Sequence, residues 1–325
     1  MLAVLIQEFG SAPTVGHVAV PSPGRGQVLI KMHAAPINPS DLAFMKGGYG
    51  SPKGFPLIPG FEGSGTVVAA GSGLYARFLV GKRVACATNG AHGGTWAEYV
   101  LASVSSCVPL PANLSLEQGA AAIVNPMTAV AFFEMVRAEK HDAIVSTAAA
   151  GALGRMILKL GLREQIPVIH IVHKQEQVDL LRSLGGQHVL NSTEPDFVDR
   201  FQTVSQQLKA TLILDAVGGE LTAQLLKASP FGSTLVIYGF LSAEAPKIDT
   251  RLLAKDDKRV IGFFLPNWLK KHPPLTTLKA IRRVRNLLTN DLSTIVQKKF
   301  PLTEVQKALD AIKEPRTAGK ILLTM

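Results

Sequence analysis

The feature that most constrains the fold is a regular alternation of apolar runs and helix-length amphipathic segments, which begins at Asp142. The apolar runs are AIVST, PVIHIV, HVLN, TLILDAVGG and TLVIYG, and a segment with helical periodicity follows each of the first four. Short apolar runs bounded by turn residues indicate strands that are buried on both faces. Because helices alternate with the strands, the pattern predicts an α/β fold with a doubly wound parallel sheet.

A turn with two glycines joins the first of these strands to its helix. Gly151 and Gly154 let the backbone approach a pyrophosphate closely, and the helix N-terminus offers free amides and a positive dipole end. Ala149 stands where a GxGxxG motif has its first glycine, so the support comes from the place of the turn at the first strand-to-helix junction. We predict a dinucleotide site with contacts from Ala150, Gly151, Ala152, Leu153 and Gly154.

The end of the second strand bears on the choice of dinucleotide. The strand ends at His173 and Lys174, with no Asp or Glu in the position that would bind a ribose 2′-hydroxyl. A lysine beside a histidine can bind an additional phosphate, so we predict NADPH. Two alternatives stay open: Lys174 only begins a helix in solvent, or Glu176 binds the ribose instead.

The segments on either side of this array have a different character. Up to about residue 118 the chain has short β-type runs separated by Gly and Pro, which predicts a compact, barrel-like β domain. The tail ends in a run of the same kind, KILLTM. We therefore predict a β-rich domain from residues 1–118 and 262–325, with the dinucleotide domain at 119–261 inserted between them.

Composition limits the location and the partners. The two cysteines, Cys86 and Cys107, cannot form a disulfide framework or a four-thiolate zinc site, and both lie among apolar or small residues. We therefore expect inert thiols and a cytoplasmic protein. No stretch has the length and apolarity of a membrane helix, and the first residues do not have the pattern of a signal peptide, so we expect no membrane contact.

The net charge of +10 suits anionic ligands, and the densest group of cations lies between residues 270 and 285. That group is either a solvated helix face or a contact for a phosphate of a large substrate. Nucleic acid is not favoured as a partner, because no aromatic side chain is interleaved with the cations as a stacking surface requires.

Other catalytic motifs are missing from the sequence. It has no GxSxG elbow, no GxxxxGK[ST] loop, no CxxC pair and no HExxH pair. The remaining polar candidates in the β-rich part are Asn38 and Asp41 in APINPSDL, Tyr49 in GGYG, and Glu62 in PGFEGSG.

Several motifs in the same order resemble those of one superfamily. They include INPSDL with GGYG, PLIPGFEGSGTVVAAGSG, NPMTA, AAAGALG, LILDAVGG, GFFLPNW and AGKILLTM, and they cover essentially the whole chain. The chain resembles zinc-free medium-chain dehydrogenases/reductases, in the branch of quinone oxidoreductases and enoyl thioester reductases. The resemblance implies a GroES-like catalytic domain, a Rossmann domain and a homodimer.

The resemblance also implies which residues act. Zinc enzymes of the superfamily have Cys and His where this chain has Asn38 and Phe61, so we expect no metal. Tyr49 is expected to donate a proton with Asn38 nearby, and Lys320 to approach the cofactor. The residues expected around the nicotinamide are Thr128, Tyr238, Gly239, Phe263, Phe264 and Leu265.

We therefore predict an NADPH-dependent reductase that transfers hydride to an activated C=C bond, in an enone or an enoyl thioester. A quinone reductase, in which Tyr49 only lines the pocket, is the alternative. A third reading, from a different class, is a non-catalytic protein that binds NADPH or nucleic acid.

Overall fold

The computed structural model describes residues 1–48, 54–88, 93–242, 244–312 and 319–325. Strands and helices are numbered here along the chain. The first part contains β1 (Leu2–Leu5), β2 (Thr14–His17), β3 (Gln27–Pro36), α1 (Pro39–Met45), β4 (Glu62–Ala70), α2 (Leu74–Leu79), β5 (Arg83–Ala87), β6 (Tyr99–Ser103), β7 (Cys107–Pro109), α3 (Leu116–Gly119) and α4 (Val124–Glu139).

The middle of the chain alternates strands and helices. Its elements are β8 (Ile144–Ser146), α5 (Ala152–Glu164), β9 (Val168–Val172), α6 (Gln175–Ser183), β10 (His188–Asn191), α7 (Phe197–Gln207), β11 (Leu212–Asp215), α8 (Gly219–Ala228), β12 (Thr234–Ile237), α9 (Arg251–Lys255) and β13 (Arg259–Gly262). The last part contains α10 (Leu265–Lys271), α11 (Pro274–Leu287), β14 (Val296–Pro301), α12 (Val305–Ala311) and β15 (Lys320–Thr324).

The middle strands form a six-stranded parallel sheet in the order β10-β9-β8-β11-β12-β13. Every residue of β9 and β11 is buried, because helices cover both faces of the sheet. The strand order reverses between β8 and β11, and the carboxyl ends of strands at such a reversal form the ligand crevice of doubly wound sheets. The predicted fold class is therefore confirmed.

The strands of the first part and the tail form a second sheet. Its order is β14-β15-β3-β4-β5-β7, and β6 pairs with β3. β15 runs antiparallel to β3, so the end of the chain completes the sheet that the N-terminal part begins. A buried apolar cluster under this sheet includes Ile6, Trp96 and Leu323.

The chain divides into two compact units, residues 1–126 with 281–325 and residues 127–280. The domain limits predicted above, at 118/119 and 261/262, stay a prediction. Among the described residues, no helix is both long and apolar enough to cross a membrane.

Candidate functional site

The glycine turn of the parallel-sheet unit has the geometry of an anion site. Gly151 is the N-cap of α5 and has no side chain to bond the amides of the first helical turn. Those amides, at Ala152, Leu153 and Gly154, have no carbonyl partner inside the helix. A Cβ at Gly154 would lie 2.3 Å from the carbonyl oxygen of Ala149, so only glycine lets the helix pack this closely on the turn. These residues fit a pyrophosphate.

His173 and Lys174 lie at the carboxyl end of β9, the strand next to β8. Both side chains are exposed, and Lys174 is the N-cap of α6. The ammonium of Lys174 lies 3.7 Å from the carboxylate of Glu176. Lys174, expected to bind the additional phosphate, and Glu176, the alternative ligand of the ribose, are therefore neighbours just after this strand.

A buried hydrogen-bond network joins β8 to β11, where the strand order reverses. The Asp215 carboxylate accepts bonds from the hydroxyl of Thr147 at 2.8 Å and from the hydroxyl of Thr222 at 2.5 Å. It also accepts the amides of Val217 at 2.9 Å and Gly218 at 3.2 Å. Four donors satisfy this carboxylate, which has no exposed surface, and they fix the loop that follows β11.

Aromatic rings meet at the carboxyl edge of the same sheet. Tyr238 follows β12 and Phe263 follows β13, and both pack on Phe132 of α4, with ring centroids 5.1 and 4.8 Å apart. Thr128 lies one helical turn before Phe132, so both lie on the same side of α4. Burial raises the pKa of the Tyr238 hydroxyl, and Asp215 adds to the increase, so this phenol stays protonated at neutral pH.

Three other residues predicted around the nicotinamide follow Tyr238 or Phe263 in the sequence, namely Gly239, Phe264 and Leu265. A Cβ at Gly239 would lie 3.0 Å from the carbonyl oxygen of Ala216, so the two loops approach closely there. Phe264 is exposed and is the N-cap of α10, which Leu265 begins.

In the other unit, a cluster of polar side chains is buried at the start of α1. The fractional exposures are 2% for Asn38, 0% for Asp41, 1% for Glu62 and 7% for Lys320. The Asn38 amide nitrogen donates to Glu62 Oε1 at 2.9 Å, and the Lys320 ammonium donates to Asn38 Oδ1. The lysine and the glutamate therefore hold the asparagine amide in one orientation.

The second oxygen of Glu62 bonds the start of α4. It accepts the amide of Val124 at 2.8 Å and the amide of Ile123 at 3.1 Å. A carboxylate at this place satisfies donors that the helix cannot satisfy itself, and its charge suits the helix N-terminus. One side chain thus holds both the Asn38 amide and the start of α4.

Asp41 joins the start of α1 to the segment just before β4. Its carboxylate accepts the amide of Asn38 at 2.7 Å and the amide of Phe61 at 3.0 Å. Burial raises the pKa of Asp41 to about 7, and the charge of Glu62 adds to the increase. Burial also raises the pKa of Glu62, although the charge of Lys320 opposes the increase.

Two further predictions concern Tyr49 and metal ions. Tyr49 lies outside the described residues. Among the described residues, no group of three or more His, Cys, Asp or Glu side chains could hold a metal ion. That zinc is not used stays a prediction, which rests on Asn38 and Phe61.

Sequence reasoning brought some of these residues together and missed others. It placed Asn38 and Lys320 in the site, but their direct contact, across 282 positions, has no local signal. It noted Asp41 and Glu62 without a role. It missed Phe132, Thr147 and Asp215; LILDAVGG contains Asp215, and an acid at a strand end is the one signal that could have pointed to it.

Comparisons with known proteins agree with this architecture. Residues 24–112 match the family "Alcohol dehydrogenase GroES-like domain", and residues 152–281 match the family "Zinc-binding dehydrogenase". The mitochondrial enoyl-[acyl-carrier-protein] reductase of Homo sapiens is 30% identical over 307 residues, which are 92% of this chain and 81% of that protein. The same enzyme of Caenorhabditis elegans is 27% identical over 99% of this chain and 95% of that protein.

Solved structures are similar over the whole length. A candidate NADPH:quinone reductase of Mesorhizobium loti has a TM-score of 0.93 and 36% identity, and the match covers 100% of this chain and 98% of that one. A mycobacterial protein complexed with NADPH has a TM-score of 0.85 and 25% identity, with full coverage of both chains.

Proposed function

The chain belongs to the medium-chain dehydrogenase/reductase superfamily, in its zinc-free branch of quinone oxidoreductases and enoyl thioester reductases, and we propose that it reduces an activated C=C bond with NADPH. The observation that carries the proposal is the Asn38 amide. It is held between Glu62 and Lys320, at the position where zinc enzymes of the superfamily have a cysteine. A fixed amide and an ammonium supply hydrogen-bond donors there in place of a metal ligand.

A nicotinamide cofactor fits the parallel-sheet unit, and NADPH is our proposal for its form. The α5 amides would bind the pyrophosphate, and His173 and Lys174 would bind the additional phosphate. Thr128, Tyr238, Gly239, Phe263, Phe264 and Leu265 would surround the nicotinamide. When bound, the reduced nicotinamide supplies a hydride.

The chain's own residues would handle the charge and the proton. As hydride reaches the β-carbon of the acceptor, negative charge builds on the carbonyl oxygen. The Asn38 amide nitrogen has two hydrogens, and the one that does not bond Glu62 can donate to that oxygen. A tyrosine has an ordinary pKa of about 10, so Tyr49 would be protonated at neutral pH and would complete the reduction by giving its proton.

Quinone reduction is the second candidate, favoured by the 36% identity to the Mesorhizobium loti protein. In that reaction water can protonate the reduced oxygen, so Tyr49 would only line the pocket. The chain is an oxidoreductase, because its relatives over the whole length are enoyl and quinone reductases, so the non-catalytic reading is set aside.

The proposed substrate is a small electrophilic molecule. A homodimer and a cytoplasmic location stay proposals, and several relatives at about 30% identity are mitochondrial. The basic residues between 270 and 285 include exposed cations on α10 and α11.

Replacing Tyr49 with phenylalanine separates the two candidate reactions. The change keeps the ring and removes only the hydroxyl, and a general acid contributes about 100- to 10,000-fold. We expect Tyr49→Phe to lower turnover on the best enone or enoyl thioester at least about 100-fold, with NADPH affinity changed only a few-fold. Near-parental turnover on the alkene would remove the catalytic role and favour quinone reduction.

A further inference from the structure

The two cysteines of the chain lie directly opposite each other on neighbouring strands. In the antiparallel pairing of β5 with β7, the partners are Val84 with Pro109, Ala85 with Val108, and Cys86 with Cys107. One pair further along, the Leu110 amide donates to the Arg83 carbonyl at 2.9 Å.

The hydrogen bonds fix the type of each pair. Hydrogen-bonded and non-hydrogen-bonded pairs alternate along an antiparallel ladder. Because Leu110 and Arg83 are hydrogen-bonded, the pair of Val84 with Pro109 is not, and Pro109 has no amide hydrogen to donate. Two positions further, Cys86 and Cys107 are again a non-hydrogen-bonded pair, the type in which side chains lie closest.

Both thiols face the same buried cluster. Cys86 and Cys107 pack there with Val84 and Val100, and their exposures are 0% and 6%. The sulfur of Cys86 lies 4.0 Å from the sulfur of Met32, and the thiol of Cys107 donates to the carbonyl of Ser103 at 3.4 Å. The two side chains therefore share one face of the sheet and one packing environment.

We propose that Cys86 and Cys107 are a redox-sensitive pair that closes to an intramolecular disulfide. Non-hydrogen-bonded partners have Cα atoms about 4.5 Å apart, which is at the short end of the range of about 4.4–6.8 Å for disulfides. No backbone rearrangement is required. The oxidant is a small disulfide or diazene: each thiol loses one proton and one electron, and the oxidant accepts two of each.

The order of events follows from the sheet. Burial raises the pKa of Cys107 to about 12 and raises that of Cys86 well above its ordinary value, so neither thiol is reactive in the closed sheet. β7 has three residues and lies at the edge of its sheet, so it can open locally. Cys107 then reacts with the oxidant, and the Cys86 thiolate attacks the Cys107 sulfur and displaces the oxidant as its reduced form.

The local opening of β7 that admits the oxidant also exposes the bond to a reductant. The pair is therefore a reversible switch rather than a structural disulfide. It does not conflict with a reducing compartment, in which the thiol form predominates. The sequence predicts inert thiols, and the strand register is the observation that changes this interpretation.

The test uses the full chain and the diazene oxidant diamide. After incubation at mildly alkaline pH, the protein is denatured, alkylated with iodoacetamide and weighed without reductant. We expect a monomer with no alkyl group and a mass lower by two hydrogens, a Cys86–Cys107 linked peptide after digestion, and recovery of two alkylation sites after dithiothreitol. Cys107→Ser is the matched control, and its remaining thiol should form no internal bond.

Two results would overturn the proposal. One is that both thiols are still alkylated after prolonged oxidation in a concentration of urea that keeps the protein folded but favours local opening. The other is that oxidation yields only chain-to-chain dimers or diamide adducts. If Cys107→Ser does not fold, the linked peptide of the parent protein decides alone.

Discussion

Replacing Glu62 with glutamine tests whether one carboxylate supports both the Asn38 amide and the start of α4. Glu62 is buried and accepts three hydrogen bonds, from Asn38, Ile123 and Val124. A glutamine has one acceptor oxygen and one NH₂ group. If its oxygen faces the helix amides, its NH₂ group faces the NH₂ group of Asn38, so two donors meet. Turning the Asn38 amide would instead direct the Asn38 NH₂ group at the Lys320 ammonium, which is again a pair of donors.

Two buried donors are therefore left without acceptors in the Glu62→Gln variant. Each costs about 1–3 kcal/mol, so we expect the free energy of unfolding to fall by about 2–6 kcal/mol. Loss of the Asn38 orientation should also lower turnover at least tenfold, which corresponds to about 1.4 kcal/mol. In a protein that already carries Asn38→Ala, adding Glu62→Gln should lower turnover much less than it does in the parent protein. The reason is that the two residues act as one unit.

Urea unfolding and steady-state oxidation of NADPH measure the two effects. Glu117→Gln is the matched control, since Glu117 is partly exposed and its ion pairs with His33 and Lys299 are 3.6 and 3.5 Å long. Such pairs contribute about 0–1 kcal/mol. A Glu62→Gln protein within about 0.5 kcal/mol of the parent and with parental turnover would refute the reasoning.

Two further predictions concern the cofactor phosphate and pH. Lys174→Ala should weaken NADPH binding about 10- to 150-fold, the equivalent of a charge-assisted bond of about 1.5–3 kcal/mol, and leave NADH binding within a few-fold in a fluorescence titration. Equal affinities of the parent for both cofactors would contradict the role of His173 and Lys174. The pKa of Asp41 is raised from 3.8 to about 7, so the folded state retains a proton that the unfolded chain releases, and the free energy of unfolding should fall as the pH rises through that window. Urea unfolding across the window should show a smaller fall in Asp41→Asn, and an equal fall would contradict the assignment.

The parallel sheet was predictable because its signal is local. Strands buried on both faces, such as Val168–Val172, have no polar alternation, and the helices between them have a clear amphipathic period. The glycine turn was predictable for the same reason, since Gly154 is required by a contact with Ala149 only five positions away. The strands of the barrel-like part were less predictable, because they are short and their sheet is completed by the distant β15.

The polar cluster was only partly predictable, because its contacts join distant parts of the chain. Glu62 bonds Ile123 and Val124 across 61 and 62 positions. The resemblance implies that Lys320 approaches the cofactor, which stays a prediction, and no local signal pointed to the bond of its ammonium with the Asn38 amide. Phe132 was missed because an apolar residue in a helix predicts only core packing, and its contact with Tyr238 depends on how the sheet and α4 pack.

The most direct measurement of the central claim follows the hydride itself. The purified chain is incubated with NADPH that carries deuterium on the transferred position of C4, together with an enoyl thioester or an enone, and the product is analysed by mass spectrometry and NMR. The account predicts a saturated product with one deuterium on the β-carbon, formed in proportion to the NADPH oxidised. An unreduced alkene, together with rapid NADPH oxidation by a quinone under the same conditions, would contradict it.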